Sequence, residues 1–168
     1  MSRPADLREW IARIESLGEL QHVAGAHWDM EIGTISEINY RRKPSAALLF
    51  DDIVGYPHGH RVLTGALSNA RRMAVTLGLD DNLDTAALVQ ALRGKPLQWE
   101  AAAPNFEPTF VKSGPILENV IAGRDVDLNH FPAPRWHERA GGRYIGTGSC
   151  ICMSFDSMAP RGCVCGQR

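Results

Sequence analysis

Over the first 95 residues, apolar side chains fall either at every third or fourth position or in short unbroken runs. In "DLREWIARIESLG", Leu7, Trp10, Ile11, Ile14 and Leu17 keep helical spacing, Asp6 stands where an N-cap belongs, and Gly18 stands where a helix stops. "ELQHV" then reads as a short strand. "MEIGTISEINYRRK" predicts a second helix, with Ile32, Ile35 and Ile38 on one side, basic residues in the last turn and Pro44 ending it. "AALLFDDIVGYPHGHRVLTG" predicts two strands around a turn, since "GYPHG" carries turn punctuation between two apolar runs. "SNARRMAVTLG" and "LDTAALVQALRG" predict two further helices, capped by Ser68 or Asn69 and by Asp84, and stopped by Gly78 and Gly94.

The pattern changes after Lys95. "PLQWEAAAPNFEPTFVKSGP" is broken by prolines and shows little periodicity, whereas "ILENVIAG" and "YIGTGSCICM" read as strands. The expected organisation is an α/β (α+β) N-terminal domain over residues 1–110, then the start of a β-rich unit over residues 111–168. Between the two late strands, "HFPAPRWHERAGGRYIGTG" places Pro132 and Pro134 to stiffen a crossing and Gly141 and Gly142 to turn the chain into the next strand.

Composition narrows the function classes. The 168 residues are 44% hydrophobic and 22% charged, with a net charge of −1, as in a soluble globular protein of one domain or one domain and part of another. That charge balance gives no case for nucleic acid or an anionic membrane. No apolar run reaches the roughly 18 residues of a membrane span, and the N-terminus lacks the apolar core of a signal peptide, so the expected setting is the cytoplasm.

Four places could carry chemistry. His58 and His60 in "HGHR" sit on alternate residues but lack a third ligand at suitable spacing, and read as exposed turn histidines. Asp51 and Asp52 follow an apolar strand, where an α/β protein can place a ligand group and where aspartates also start turns. Gly141, Gly142, Gly146 and Gly148 would allow backbone N–H groups to approach an anion, and Thr147 adds a hydroxyl, although the spacing matches neither G-x-G-x-x-G nor a P-loop. Cys150, Cys152, Cys163 and Cys165 form two C-x-C pairs in the last nineteen residues, a spacing less suited to zinc than C-x-x-C.

The segments "DLREWIARIESLGELQHV", "WDMEIGTIS", "ALLFDDIVGYPHGHRVLTG", "NARRMAVTLG" and "PILENVIAGRDVDLNHFPAPRWHERAGGRYIGTG", in this order over about 150 residues, resemble the N-terminal portion of the UbiD family of reversible carboxy-lyases. The resemblance implies an α/β domain followed by the first strands of a split β-barrel that holds prenylated FMN, with a divalent metal, usually Mn2+, and K+ bridging the cofactor phosphate. It implies decarboxylation of a small aromatic or α,β-unsaturated carboxylic acid, and homo-oligomers. By the same resemblance Gly146, Thr147 and Gly148 are the cofactor-binding residues, and Arg143 and Tyr144 are supporting structure.

Beyond Met153 the sequence departs from the family pattern. The family continues with a segment like "D-P-D-x-G-W-x-N-x-G-x-Y-R", whose asparagine binds the metal, whereas this chain reads "SFDSMAPRGCVCGQR" over its atypical tail, residues 153–168. No catalytic or metal-ligating residue carries over, so the expectation is an N-terminal fragment inactive alone, its reading frame shifted or its gene truncated near residue 153. A non-catalytic partner subunit of a UbiD-like complex is the alternative, and a zinc-binding tail a third.

Overall fold

In the computed structural model, residues 3–106, 109–145, 150–153 and 160–163 are described. The chain divides into two compact units, each assembled from two segments: residues 1–17 with 67–128, and residues 18–66 with 129–168.

The first unit is helical. Helix α1, Leu7–Ser16, starts where the Asp6 side chain accepts the Glu9 N–H, and it buries Trp10 and Ile14. The Trp10 indole N–H donates to Thr76 Oγ1 at 2.8 Å, which satisfies the one polar atom of that buried ring. Thr76 belongs to α3, Ala70–Leu77, capped by Asn69 and ended by Gly78 in the left-handed region at φ 70°. Beyond that glycine the Leu79 N–H reaches back to Ala74 O at 2.8 Å, closing the helix end. A 2.7 Å ion pair joins Arg13 to Asp81, whose carboxylate is almost fully buried. Helix α4, Thr85–Leu92, has Asp84 as its cap, as expected, and buries Leu88.

The expected stop at Gly94 is in place, since α4 ends at Leu92 with Arg93 as its C-cap. Gly94, at φ 75°, then opens α5, Lys95–Ala102, a helix not expected in that proline-broken stretch. Pro96 lies in the first helical turn, where its missing N–H costs nothing, and the residues after it are good helix formers. The strand expected at "ILENVIAG" is absent. Short 3₁₀ turns at Pro115–Leu117 and Gly123–Asp125 flank residues whose side chains, Val120 and Ile121 among them, are exposed. A run of β-branched residues forms a strand only when it has a pairing partner, and among the described residues this one has none.

The second unit is built on a three-stranded sheet in the order β1-β2-β3, from β1, Leu20–Ala24, β2, Ala47–Asp51, and β3, Val62–Thr64. β1 runs parallel to β2, with Leu20 opposite Ala47, and β3 is antiparallel to β2, with Leu49 opposite Leu63. Central β2 is buried along Ala47 to Phe50, which explains its unalternating apolar run. Helix α2, Glu31–Tyr40, crosses between β1 and β2, and its Ile32 joins Ala26, Leu48, Phe50 and Ile53 in the core.

The buried face of α2 differs from the expected isoleucine stripe. Ile32 is buried and Ile35 packs against the core, but Ile38 is half exposed; Gly33, Ser36 and Asn39 are buried instead. Each of these small or polar residues has a partner. Ser36 Oγ lies 3.1 Å from Thr64 Oγ1 of β3, and the Asn39 amide donates to Ala46 O at 2.8 Å while accepting from Ala46 N–H. The expected basic last turn is likewise absent, because the helix ends at Tyr40, before Arg41 and Arg42.

A separate antiparallel pair joins β4, Cys150–Met153, which lies inside the expected strand "YIGTGSCICM", to β5, Pro160–Cys163, in the tail.

Candidate functional site

Because β1 and β2 are parallel, their carboxyl ends share one edge of the sheet, the edge at which open α/β sheets hold ligands. Asp51 closes β2 there, and Asp52 adopts a left-handed backbone at φ 47°, which a short polar side chain tolerates better than most. The turn then folds His58 back so that its Nδ1 lies 2.7 Å from Asp52 Oδ1, and the ligand atoms of Asp51, Asp52 and His58 all fall within 4.8 Å of one another. The carboxylates that the two histidines lacked in sequence therefore arrive from six and seven residues upstream.

The two carboxylates also set the electrostatics of the imidazole. The hydrogen bond to Asp52, then the charges of Asp52 and Asp51, raise the His58 pKa above its ordinary value. The three residues form a polar cluster on an exposed turn, with ligand atoms close enough to share one ion. His60 does not join them: it is half-buried, with its Nδ1 3.2 Å from Pro57 O.

A more closely built assembly lies where the proline-rich crossing meets the sheet. Pro132 and Pro134 are both buried. The Arg135 N–H donates to Trp28 O at 3.1 Å, and Met30 N–H donates to Arg135 O at 2.8 Å, so the crossing runs parallel to residues 28–30. The Arg135 guanidinium also bonds the Asp29 carboxylate, which lowers the Asp29 pKa and raises that of Arg135. At the next residue the backbone of Trp136 lies directly on Gly33 of α2, where a Cβ would come within 2.1 Å of Trp136 O. That contact explains a glycine in mid-helix.

Arg143 completes the assembly. Its Nε donates to Ala133 O at 2.8 Å, Nη2 to Phe131 O at 2.8 Å and to the Tyr56 hydroxyl, and Nη1 to Asn129 Oδ1 at 3.4 Å. The same guanidinium lies 4.3 Å from the centre of the Trp28 ring and 5.6 Å from that of Tyr56. Sequence alone places Trp28, Tyr56 and Arg143 in unrelated motifs, and no spacing rule connects them.

Gly146, Thr147 and Gly148, the residues offered to a flavin by family resemblance, lie outside the described residues, as does Cys165. Among the residues that are described, Arg143 directs its N–H groups to protein acceptors and so does not fit a cofactor phosphate. A cavity of about 280 Å³ beside α1 and α3 has a mixed lining that includes Arg3, Glu9 and Arg13, and another of about 350 Å³ is lined by Ser113, Gly114, Pro115, Leu117 and Glu118. No helix among the described residues is long and apolar enough to cross a membrane.

Comparison with known proteins places this geometry. The family model described as 3-octaprenyl-4-hydroxybenzoate carboxy-lyase N-terminal domain matches residues 11–92, and the Rift-related domain of the same carboxy-lyase matches residues 109–163. Pyrrole-2-carboxylic acid decarboxylase of Pseudomonas aeruginosa is 34% identical over 157 residues, covering 88% of this chain and 30% of that protein. Vanillic acid decarboxylase of Sedimentibacter hydroxybenzoicus, in its closed form, superposes with a TM-score of 0.77 at 27% identity, over 93% of this chain and 32% of that one. HmfF of Pelotomaculum thermopropionicum, determined in complex with FMN, shares the fold at a TM-score of 0.71 and 24% identity, over 95% of this chain and 33% of that one. The chain thus spans about a third of the length of these relatives. With both domain models matched in order and the α/β sheet in place, the chain belongs to the UbiD family of carboxy-lyases.

Proposed function

We propose that this chain supplies the α/β portion, and from about residue 111 the first strands of a split β-barrel, to a prenylated-FMN-dependent decarboxylase of small aromatic or α,β-unsaturated carboxylic acids. The observation that carries this reading is the 34% identity to pyrrole-2-carboxylic acid decarboxylase over nearly the whole chain. Loss of carbon dioxide from an sp² carbon leaves an electron pair that no described side chain can delocalise. Prenylated FMN supplies that electron sink when bound.

The chain's own contribution is placement. The Asp29–Arg135 pair, the Gly33–Trp136 contact and Arg143 hold the crossing on the sheet, and Gly146, Thr147 and Gly148 follow immediately as the proposed flavin neighbours. Mn2+ and K+ belong to the same reading, with ligands outside the described residues, as do a cytoplasmic setting and a homo-oligomer. Among the described residues no acid and base converge in an enclosed cavity, so we expect the chain to be inactive alone.

The test is a chimera in which residues 11–145 replace the corresponding part of the Pseudomonas decarboxylase. Retained decarboxylation of pyrrole-2-carboxylate supports the reading. A chimera that folds and binds flavin but does not decarboxylate overturns it.

A second reading, a non-catalytic partner subunit, is favoured by the exposed Phe106, Phe110 and Val120, at 78%, 93% and 75% exposure. It predicts co-purification with a larger UbiD-like chain, and the absence of any such chain from the native complex rules it out.

A further inference from the structure

Arg143 lies in the region that matches the Rift-related domain, whereas Trp28 and Tyr56 lie in the region that matches the N-terminal domain. We propose that Arg143 is a positioning residue that pins residues 129–145 of the Rift-related region to the α/β sheet, through one guanidinium held between Trp28 and Tyr56.

Four hydrogen bonds and two ring faces converge on this group. Two of the acceptors are carbonyls of the crossing itself, Phe131 and Ala133, so the side chain holds both the crossing and the sheet turn at Tyr56. A carbonyl-lined slot between two aromatic faces selects the planar fork of arginine. The point charge of lysine cannot meet acceptors spread around a plane while also stacking on a ring. The Asp29–Arg135 pair fixes the crossing eight residues earlier; between the two arginines lie a local turn, Ala140 N–H to His137 O at 2.9 Å, an Arg135 Nη1 bond to Glu138 O at 3.4 Å, and an exposed His137–Glu37 contact at 3.8 Å. Arg143 is therefore the most extensively bonded pin of this stretch, and the one nearest Gly146. This goes beyond the proposed activity and does not depend on which cofactor the family member holds.

Hydrogen–deuterium exchange on the purified chain separates positioning from general stability. In Arg143→Lys and Arg143→Met, amides of residues 137–145 are expected to exchange about tenfold faster or more, while those of β1, β2 and α2 keep their wild-type rates. Lysine should not rescue, because charge alone does not restore the fork. Tyr56→Phe removes one acceptor and keeps the ring, and should accelerate the same segment by roughly threefold. Unchanged exchange over residues 137–145 in the Arg143 variants overturns the proposal. So does acceleration spread equally over β1, β2 and α2, which marks a merely structural arginine.

Discussion

Replacing Gly33 by alanine tests whether the crossing rests on α2. Alanine is the better helix former by about 1 kcal/mol, so on an isolated helix the change would stabilise. Here the added Cβ would lie 2.1 Å from Trp136 O, 2.7 Å from its Cα and 2.8 Å from its carbonyl carbon. Ordinary carbon contacts begin near 3.4 Å, so helix and crossing must separate by about 1 Å or more. Overpacking of this kind costs about 1–3 kcal/mol. The displaced partner is backbone, and moving it also weakens the Met30–Arg135 and Arg135–Trp28 hydrogen bonds, each worth about 1 kcal/mol. Net of the helix gain, the loss is about 2–4 kcal/mol. For a chain of this size that lowers the thermal midpoint by roughly 5–15 °C, read by far-ultraviolet circular dichroism. Thr34→Ala, at the exposed neighbouring position, is the control and should change stability by no more than about 0.5 kcal/mol. A Gly33→Ala protein that melts at or above wild type would refute the contact.

Three further outcomes follow from the same geometry. Ser36→Ala leaves the Thr64 hydroxyl buried without its 3.1 Å partner and should cost about 1–2 kcal/mol in urea denaturation, while the double variant Ser36→Ala, Thr64→Val costs less than the two single changes together. Because the His58 pKa is raised, the stabilisation from its bond to Asp52 is fully present below the ordinary value of 6.5 and is lost as pH rises through the higher folded value; Asp52→Asn should return the His58 titration, followed by NMR, toward 6.5. The Asp29 pair runs the other way: with its pKa lowered, its contribution is present above 3.8 and is lost as pH falls through the lower folded value, so Asp29→Asn should flatten the acid limb of the stability profile.

Local signals were legible wherever one residue decides a local geometry. Asp6, Asn69 and Asp84 cap α1, α3 and α4, and Gly78 ends α3, because a side-chain acceptor or a positive φ is a property of one position. The three sheet strands and family membership were legible for a related reason, since order and spacing of short segments survive in the sequence. What depended on a distant partner was not. Ile38 is exposed because Gly33, Ser36 and Asn39 face Trp136, Thr64 and Ala46, partners that the helical period cannot reveal. α5 was hidden by a proline whose position in the first turn makes it harmless. The Asp52–His58 contact needed the turn to fold back, and the Arg143–Tyr56 bond joins residues 87 positions apart.

The chain belongs to the UbiD family, and the central proposal is that it supplies the α/β portion of such an enzyme and is inactive alone. Its most direct test is turnover by the purified chain alone, supplied with prenylated FMN, Mn2+ and K+ and given pyrrole-2-carboxylate and a panel of aromatic acids. The account predicts carbon dioxide release no faster than in the protein-free control. Sustained release that requires the chain would contradict it.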